Sequence, residues 1–298
     1  MTASPPRLAA IAGIDHLLVA VRDLEAARRQ WQALGFTPTP RGRHIGWGTA
    51  NYCLMFETGY VELLGIVDPS QFVNNLDRVL ERRQGLTGLA FASTDAARTK
   101  AALAAGGFHP DGPRDLKRLL ELPEGDVLPA FSLVFLPPEE TPGASAFFCQ
   151  QLTPELVRRP GWLGHENGAV ALAGFTIACA EPAGLAPVYA RLFGAGAVAG
   201  DGDMLTVATG AGDLRFVVPA RLGVLYPGLS MPLPELPCPV ALAVAVDDLE
   251  ATRAELERRG FRPTPTPSGL ALPPEVATGA VVEFVSASNA ERILIIPG

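Results

Sequence analysis

The chain repeats itself. Residues 19–40 read VAVRDLEAARRQWQALGFTPTP, and residues 244–265 read VAVDDLEATRAELERRGFRPTP, a match without a gap. Self-similarity of this kind marks a supersecondary unit that cannot bury its apolar face alone and stacks on copies of itself. Two fainter copies keep the same grammar: FASTDAARTKAALAAGGFHP at 91–110 and IACAEPAGLAPVYARLFGAG at about 177–196. Each runs from an apolar strand to an acid near a helix start, through a helix, to a Gly and Phe pair.

The first copy shows why the unit folds. Ile14 to Val21 is a β-rich apolar run. Asp23 is placed to cap the following helix through its side-chain oxygen. Leu24, Ala27, Trp31 and Leu34 recur at helical spacing and give one apolar face. Gly35 supplies the residue that ends a helix most easily. Three short strands follow, around Ile45 to Gly48, Tyr52 to Glu57 and Tyr60 to Val67. The unit is therefore βαβββ.

Four such units, at about 13–67, 85–152, 172–219 and 239–286, account for nearly all of the 298 residues. Gln71 to Arg83 carries a helical stripe (Phe72, Val73, Leu76, Val79, Leu80) and reads as a connecting helix. The turn-rich stretch LTPELVRRPGWLGHENGA is the best domain boundary. The expected architecture is α+β: tandem βαβββ modules forming curled half-barrel sheets, two modules in each of two domains, 1–155 and 156–298.

Composition narrows the function. The formal net charge of −7 shows no basic character, which argues against nucleic-acid binding. Cys53, Cys149, Cys179 and Cys238 form no C-x-x-C pair and read as buried small hydrophobes, not a disulfide framework. The longest apolar run, Ala169 to Ala180, is too short for a bilayer span, and no secretory signal is visible. The chain reads as a soluble cytoplasmic protein. It has neither a phosphate-binding P-loop nor a dinucleotide fingerprint, and no nucleophile elbow, so no cofactor-binding residues are assigned.

The segments GIDHLLVAVRDLEAA at 13–27, HIGWGTANYCLMF at 44–56 and GYVELLGI at 59–66 resemble the vicinal-oxygen-chelate superfamily. That group includes glyoxalase I, extradiol dioxygenases, methylmalonyl-CoA epimerase and bleomycin-resistance proteins. More narrowly, the first unit resembles the glyoxalase-like domain proteins of bacteria. The resemblance covers most of residues 13–180 and thins beyond.

The resemblance implies a metal in the cleft of a curled sheet, with ligands from the first and fourth strands of each module. His16 falls at the first-strand position and Glu62 at the fourth. A bare imidazole or carboxylate in an apolar strand is costly unless paired or metal-bound. The other units depart from the pattern. Gly88 stands opposite His16 in unit two, and Ala241 in unit four. Gln150 is placed opposite Glu62 in unit two, Arg215 in unit three and Glu283 in unit four. His16, Glu62 and Gln150 are thus the expected metal ligands, with Glu62 also the candidate general base. A slip of one residue would exchange Gln150 for Gln151, which points to the other face of the strand. His44, Trp47, Asn51 and His165 are the expected substrate-pocket residues.

The expected function is that of a metalloenzyme. A divalent ion (Fe, Mn, Ni, Zn or Mg) would chelate two neighbouring oxygens of a small substrate, with lyase, isomerase, hydrolase or dioxygenase chemistry all within the resemblance. The alternative is a metal-free small-molecule binder of the bleomycin-resistance type. The partners expected are small molecules, with no nucleic acid and no membrane, and the chain is read as a monomer or homodimer.

Overall fold

The computed structural model describes residues 7–290. The first unit is β1 (Ile11–Ala20), α1 (Leu24–Ala33), β2 (Gly42–His44), β3 (Thr49–Met55) and β4 (Tyr60–Ile66). Helix α2 (Leu76–Arg82) leads to β5 (Gly85–Ser93), α3 (Ala96–Ala105), β6 (Asp111–Leu120), β7 (Ala130–Phe135) and β8 (Ala146–Gln151). Two single-turn helices, α4 (Pro154–Val157) and α5 (Pro160–Leu163), precede the third unit: β9 (Ala169–Ala178), α6 (Ala186–Phe193), β10 (Val198–Gly200), β11 (Met204–Ala208) and β12 (Asp213–Val217). After α7 (Pro219–Leu225) come β13 (Cys238–Val246), α8 (Leu249–Arg258), β14 (Thr264–Pro265), β15 (Gly269–Leu272) and β16 (Val281–Ser286). The mixed α and β fold built from βαβββ units is the one the repeat led us to expect.

The repeated aspartate does the same work in three units. Asp23 accepts a hydrogen bond from the Ala26 amide, Asp95 from Arg98 and Asp248 from Ala251. Each occupies one of the amides left unpaired at a helix start. Gly35 and Gly260 both take φ of +88° just after their helices, a backbone that L side chains rarely adopt.

Strands β1–β8 form a closed barrel in the order β1-β4-β3-β2-β6-β7-β8-β5. The expected half-barrel closes because β2 pairs with β6, with His44 opposite Arg118. Strands β9–β16 form an open sheet in the order β10-β11-β12-β9-β13-β16-β15-β14. One apolar cluster runs through both sheets and includes Trp31, Phe36, Leu256 and Phe284. The Trp31 indole Nε1 donates to Thr278 Oγ1 at 2.9 Å, a buried link between the first unit and the last.

Two local expectations are corrected. The strand placed at Ile45 to Gly48 lies earlier, at β2, and Gly46 at φ +78° turns the chain instead. The connecting helix starts only at Leu76, because Asn74 and Asn75 adopt left-handed backbone. Phe72 is consequently outside the helix and packs edge-on against Trp47. Among the described residues no helix is long and apolar enough to cross a membrane.

Candidate functional site

Period-2 alternation sorts the side chains of the barrel strands. On β1, Leu17 and Val19 face the outer core, whereas His16 and Leu18 face the interior. On β4, Val61 and Leu63 point outward, and Tyr60, Glu62 and Leu64 inward. The interior cleft, about 120 Å³, is walled on its far side by Leu116, Phe131, Leu133, Phe135 and Phe147. A larger groove of about 520 Å³ runs past Arg82, Met231, Leu233 and Pro274. It has no imidazole, and its lining is rich in proline; the two cleft-lining histidines, His16 and His44, are in the smaller one.

Glu62 is the centre of the cleft. His16 Nε2 is 3.6 Å from Glu62 Oε2, and His44 Nε2 is 3.8 Å from Glu62 Oε1. Asn51 donates its amide to Glu62 Oε1 at 2.7 Å. Burial alone pushes the Glu62 carboxyl up. The charges of His16, His44 and Arg118, with the Asn51 hydrogen bond, outweigh burial and bring it below its ordinary value. Burial pulls His44 down, towards the neutral imidazole whose nitrogen lone pair is free. His44 Nδ1 lies 2.9 Å from Thr49 Oγ1.

His16 is fixed from behind. Its Nδ1 is 2.7 Å from Asp15 Oδ2, and its ring stacks on Tyr60 with centroids 4.5 Å apart. Asp15 Oδ2 also accepts from Gln151 Nε2 at 2.9 Å. A carboxylate on Nδ1 sets the tautomer and leaves Nε2 as the free nitrogen.

Two coordinating atoms about 2.1 Å from one ion lie roughly 3 to 3.4 Å apart. His16 approaches that spacing against Oε2 of Glu62 and His44 against Oε1, so each imidazole forms a pair of ligand type with the carboxylate. The three together are not a group whose ligand atoms all lie within 4.8 Å of one another among the described residues. Asp15, His16 and Cys149 do cluster within 4.8 Å. In that set Asp15 is engaged by two donors, and burial holds the Cys149 thiol well above its usual range.

Trp47 and Asn51 line the cleft beside His44. Gln150 does not reach it. Its Oε1 accepts from the Ala96 amide at the start of α3, on the outer face of β8. The register explains the misplacement. Leu18 pairs with Glu62 across β1 and β4, and Ala90 pairs with Phe147 across β5 and β8. With Gly88 matched to His16, Ala90 matches Leu18, so Phe147 occupies the Glu62 position of unit two. Gln151, two residues beyond Cys149, is the glutamine that turns inward. His165 is also elsewhere. Its Nδ1 accepts from the Thr37 amide at 2.9 Å, its Nε2 faces Met55 O at 2.9 Å, and its ring packs against Phe36 and Phe56. It ties the α1 turn to β3 as a buried structural histidine.

Arg118 and Asp15 were missed, and Gln151 entered the sequence reading only as the residue that a slip of one would exchange for Gln150. Arg118 shares the β6 face of Leu116 and Leu120, and a charge in register with apolar neighbours was the available signal. Gly42 makes room for it: a Cβ there would lie 2.3 Å from Asn51 Oδ1 and 3.0 Å from Arg118 Cδ.

The open sheet keeps the positions and replaces the chemistry. Arg215 pairs with Thr176 and Glu283 with Ala243, the register of Glu62 against Leu18. Arg215 Nη1 and Glu283 Oε2 are 3.7 Å apart, both buried, and Thr266 Oγ1 donates to Glu283 Oε1 at 2.7 Å.

Residues 14–193 match a family model described as a glyoxalase-like domain. No curated protein matches the sequence. A hypothetical protein from Staphylococcus aureus superposes with a TM-score of 0.66 at 12% identity, covering 92% of this chain and 98% of that one. A mutant of 4-hydroxymandelate synthase from Streptomyces coelicolor gives 0.54 at 16% identity, over 87% and 78% of the two chains. A fusion of a xylose isomerase-like TIM barrel with 4-hydroxyphenylpyruvate dioxygenase gives 0.52 at 17% identity, over 87% of this chain and 40% of that one. At such identities these likenesses are likenesses of fold.

Proposed function

The chain belongs to the glyoxalase-like domain family, and on that premise we propose that the barrel cleft is the site of a metal-dependent enzyme acting on a small substrate with neighbouring oxygens. The observation that carries this reading is the convergence of two imidazoles on the carboxylate of Glu62. His16, His44 and Glu62 would hold the ion. Two nitrogens and one carboxylate favour Fe²⁺, Mn²⁺, Ni²⁺ or Zn²⁺ over Mg²⁺. When bound, a divalent ion supplies Lewis-acid stabilisation of an oxyanion as charge develops.

The protein's own groups do the rest. Asp15 fixes the His16 tautomer. Asn51 holds one oxygen of Glu62, and the carboxylate, kept ionised, is the group able to accept a proton from a carbon beside the substrate oxygens. The aromatic wall excludes water and strengthens each of these interactions. Isomerase, lyase and dioxygenase outcomes all suit this set. The barrel closes within one chain, so the site needs no second copy. Four buried free cysteines support a cytoplasmic setting.

The test is elemental analysis after dialysis against divalent ions, comparing wild type with His16→Ala and Glu62→Gln. About one ion per chain in the wild type, lost in both variants, supports the reading; an ion-free wild type overturns it. That second result would favour a metal-free ligand binder, the reading that Gly88 and Phe147 at the ligand positions of unit two support.

A further inference from the structure

Arg118 is 3% exposed and lines the cleft. Guanidinium groups carry five N–H donors and remain charged in proteins. Only one of these has a hydrogen-bond acceptor among the described residues: Nη1 donates to Cys53 Sγ at 3.1 Å. Burial pushes the Cys53 thiol up to about 11, so this acceptor is neutral. Nε is sealed from solvent and has no partner. The guanidinium face lies over the Phe131 ring, with 5.5 Å to its centroid. Glu62, engaged by Asn51 and the two histidines, makes no ion pair with it, and the two charges act on each other only across the cleft. Buried guanidinium donors left without acceptors are costly unless a ligand supplies them.

We propose that Arg118 is a specificity-determining residue and that the cleft binds a small monocarboxylic acid, with its carboxylate on the Arg118 guanidinium and its short apolar body against Phe131 and Phe147. Planar bidentate recognition of carboxylates is what a guanidinium does best. The size follows from the volume. An apolar cavity of about 150 Å³ admits benzene, so about 120 Å³ takes a ligand of roughly six non-hydrogen atoms or fewer. The charge state follows from the surroundings. Asp15 and Glu62 lie in or beside the same cleft, and a second negative charge on the ligand would meet them. This inference rests on the proposed reading of the cleft as the ligand site, but not on the metal.

The experiment is calorimetric titration of the full chain with pyruvate and propionate against pyruvamide and propionamide, first in excess EDTA and then with Mn²⁺. Inorganic phosphate serves as a second anion. The acids should bind on the order of 100-fold tighter than their amides, the loss that accompanies removal of one buried charged partner. Arg118→Met should abolish that preference, and Arg118→Lys should retain part of it. An arginine that only holds the fold would leave acid and amide equal in the wild type. Equal affinity of acid and amide in both conditions overturns the proposal, even if an ion binds, and so does phosphate binding more tightly than pyruvate. A preference for the acids that survives EDTA, in a protein that takes up no ion, supports the proposal while the metal reading fails.

Discussion

The His16 ring is pinned by its own neighbour: Nδ1 lies 2.7 Å from Asp15 Oδ2, which leaves Nε2 aimed at Glu62. β1 shifts register between Ile14 and His16, and Asp15 is buried beside the ring instead of facing solvent. Carboxylates behind ligand histidines typically tune metal affinity about 10- to 100-fold. Asp15→Asn should therefore weaken binding of Zn²⁺ or Mn²⁺ by about that factor, read by competition with a chromophoric chelator. Gln151→Ala, which removes a donor to Asp15 and to the Cys149 sulfur, should have a smaller effect. Unchanged affinity in Asp15→Asn would mean that Asp15 orients nothing.

The cleft also predicts how stability depends on pH in the metal-free protein. Burial draws the His44 imidazole below its usual 6.5. The unfolded chain then binds more protons than the folded one as pH drops below 6.5, so stability falls there. Glu62 adds a second loss at lower pH. Burial opposes ionisation, but Arg118 and Asn51, neither of which titrates in this range, help hold the folded carboxyl below its usual 4.5. Its contribution is full above 4.5 and lost as pH falls through the folded value. Urea unfolding at a series of pH values should show both losses. His44→Gln should flatten the upper part of the profile and Glu62→Gln the lower part; profiles parallel to wild type would contradict the assignment.

Gly42 is a positioning residue by virtue of what it lacks. An added Cβ would collide with Asn51 Oδ1 and press on the Arg118 stem. Gly42→Ala should displace the Asn51 amide from Glu62, costing about 1–3 kcal/mol of stability from overpacking and on the order of 10-fold in metal affinity. Thermal melts and the same chelator competition measure the two effects. An intact affinity would show that Asn51 does not orient Glu62.

The repeat made the fold legible because each βαβββ unit carries its own local signals: an Asp cap, a helical stripe and a closing glycine. His16 and Glu62 were legible for a related reason, since a polar group at an inward strand position stands out against its apolar neighbours. Gln150 failed on register. Side chains alternate along a strand, and the run FFCQQ, with two adjacent glutamines, could not fix which one turned inward. His165 failed because its partners, Thr37 and Met55, lie far away in sequence, and a histidine in a turn carries no sign of whether it faces the cleft. Arg118 was hidden in DGPRDLKRLL, where alternation of charged and apolar residues resembles a solvated edge strand. Only the β2–β6 pairing that closes the barrel brings it inside.

The contact between Trp31 and Thr278 joins parts of the chain that the repeat alone does not connect. Trp31 is fully buried on the inner face of α1, and its indole N–H has Thr278 Oγ1 as acceptor at 2.9 Å. Thr278 itself holds φ of +51°, an unfavourable backbone for a β-branched residue, in the turn before β16. Trp31→Ala should cost about 3–5 kcal/mol through lost burial and the cavity left behind. Thr278→Val keeps nearly the same shape but strands the indole N–H, and should cost about 1–3 kcal/mol. Thr278→Gly removes the same hydroxyl but relieves the backbone strain, so it should be milder than Thr278→Val. Chemical denaturation of the three variants checks this order. If Thr278→Val matched wild type, the indole bond would contribute nothing to holding the first and last units together, and apolar packing around Phe36 and Phe284 would carry the interface alone.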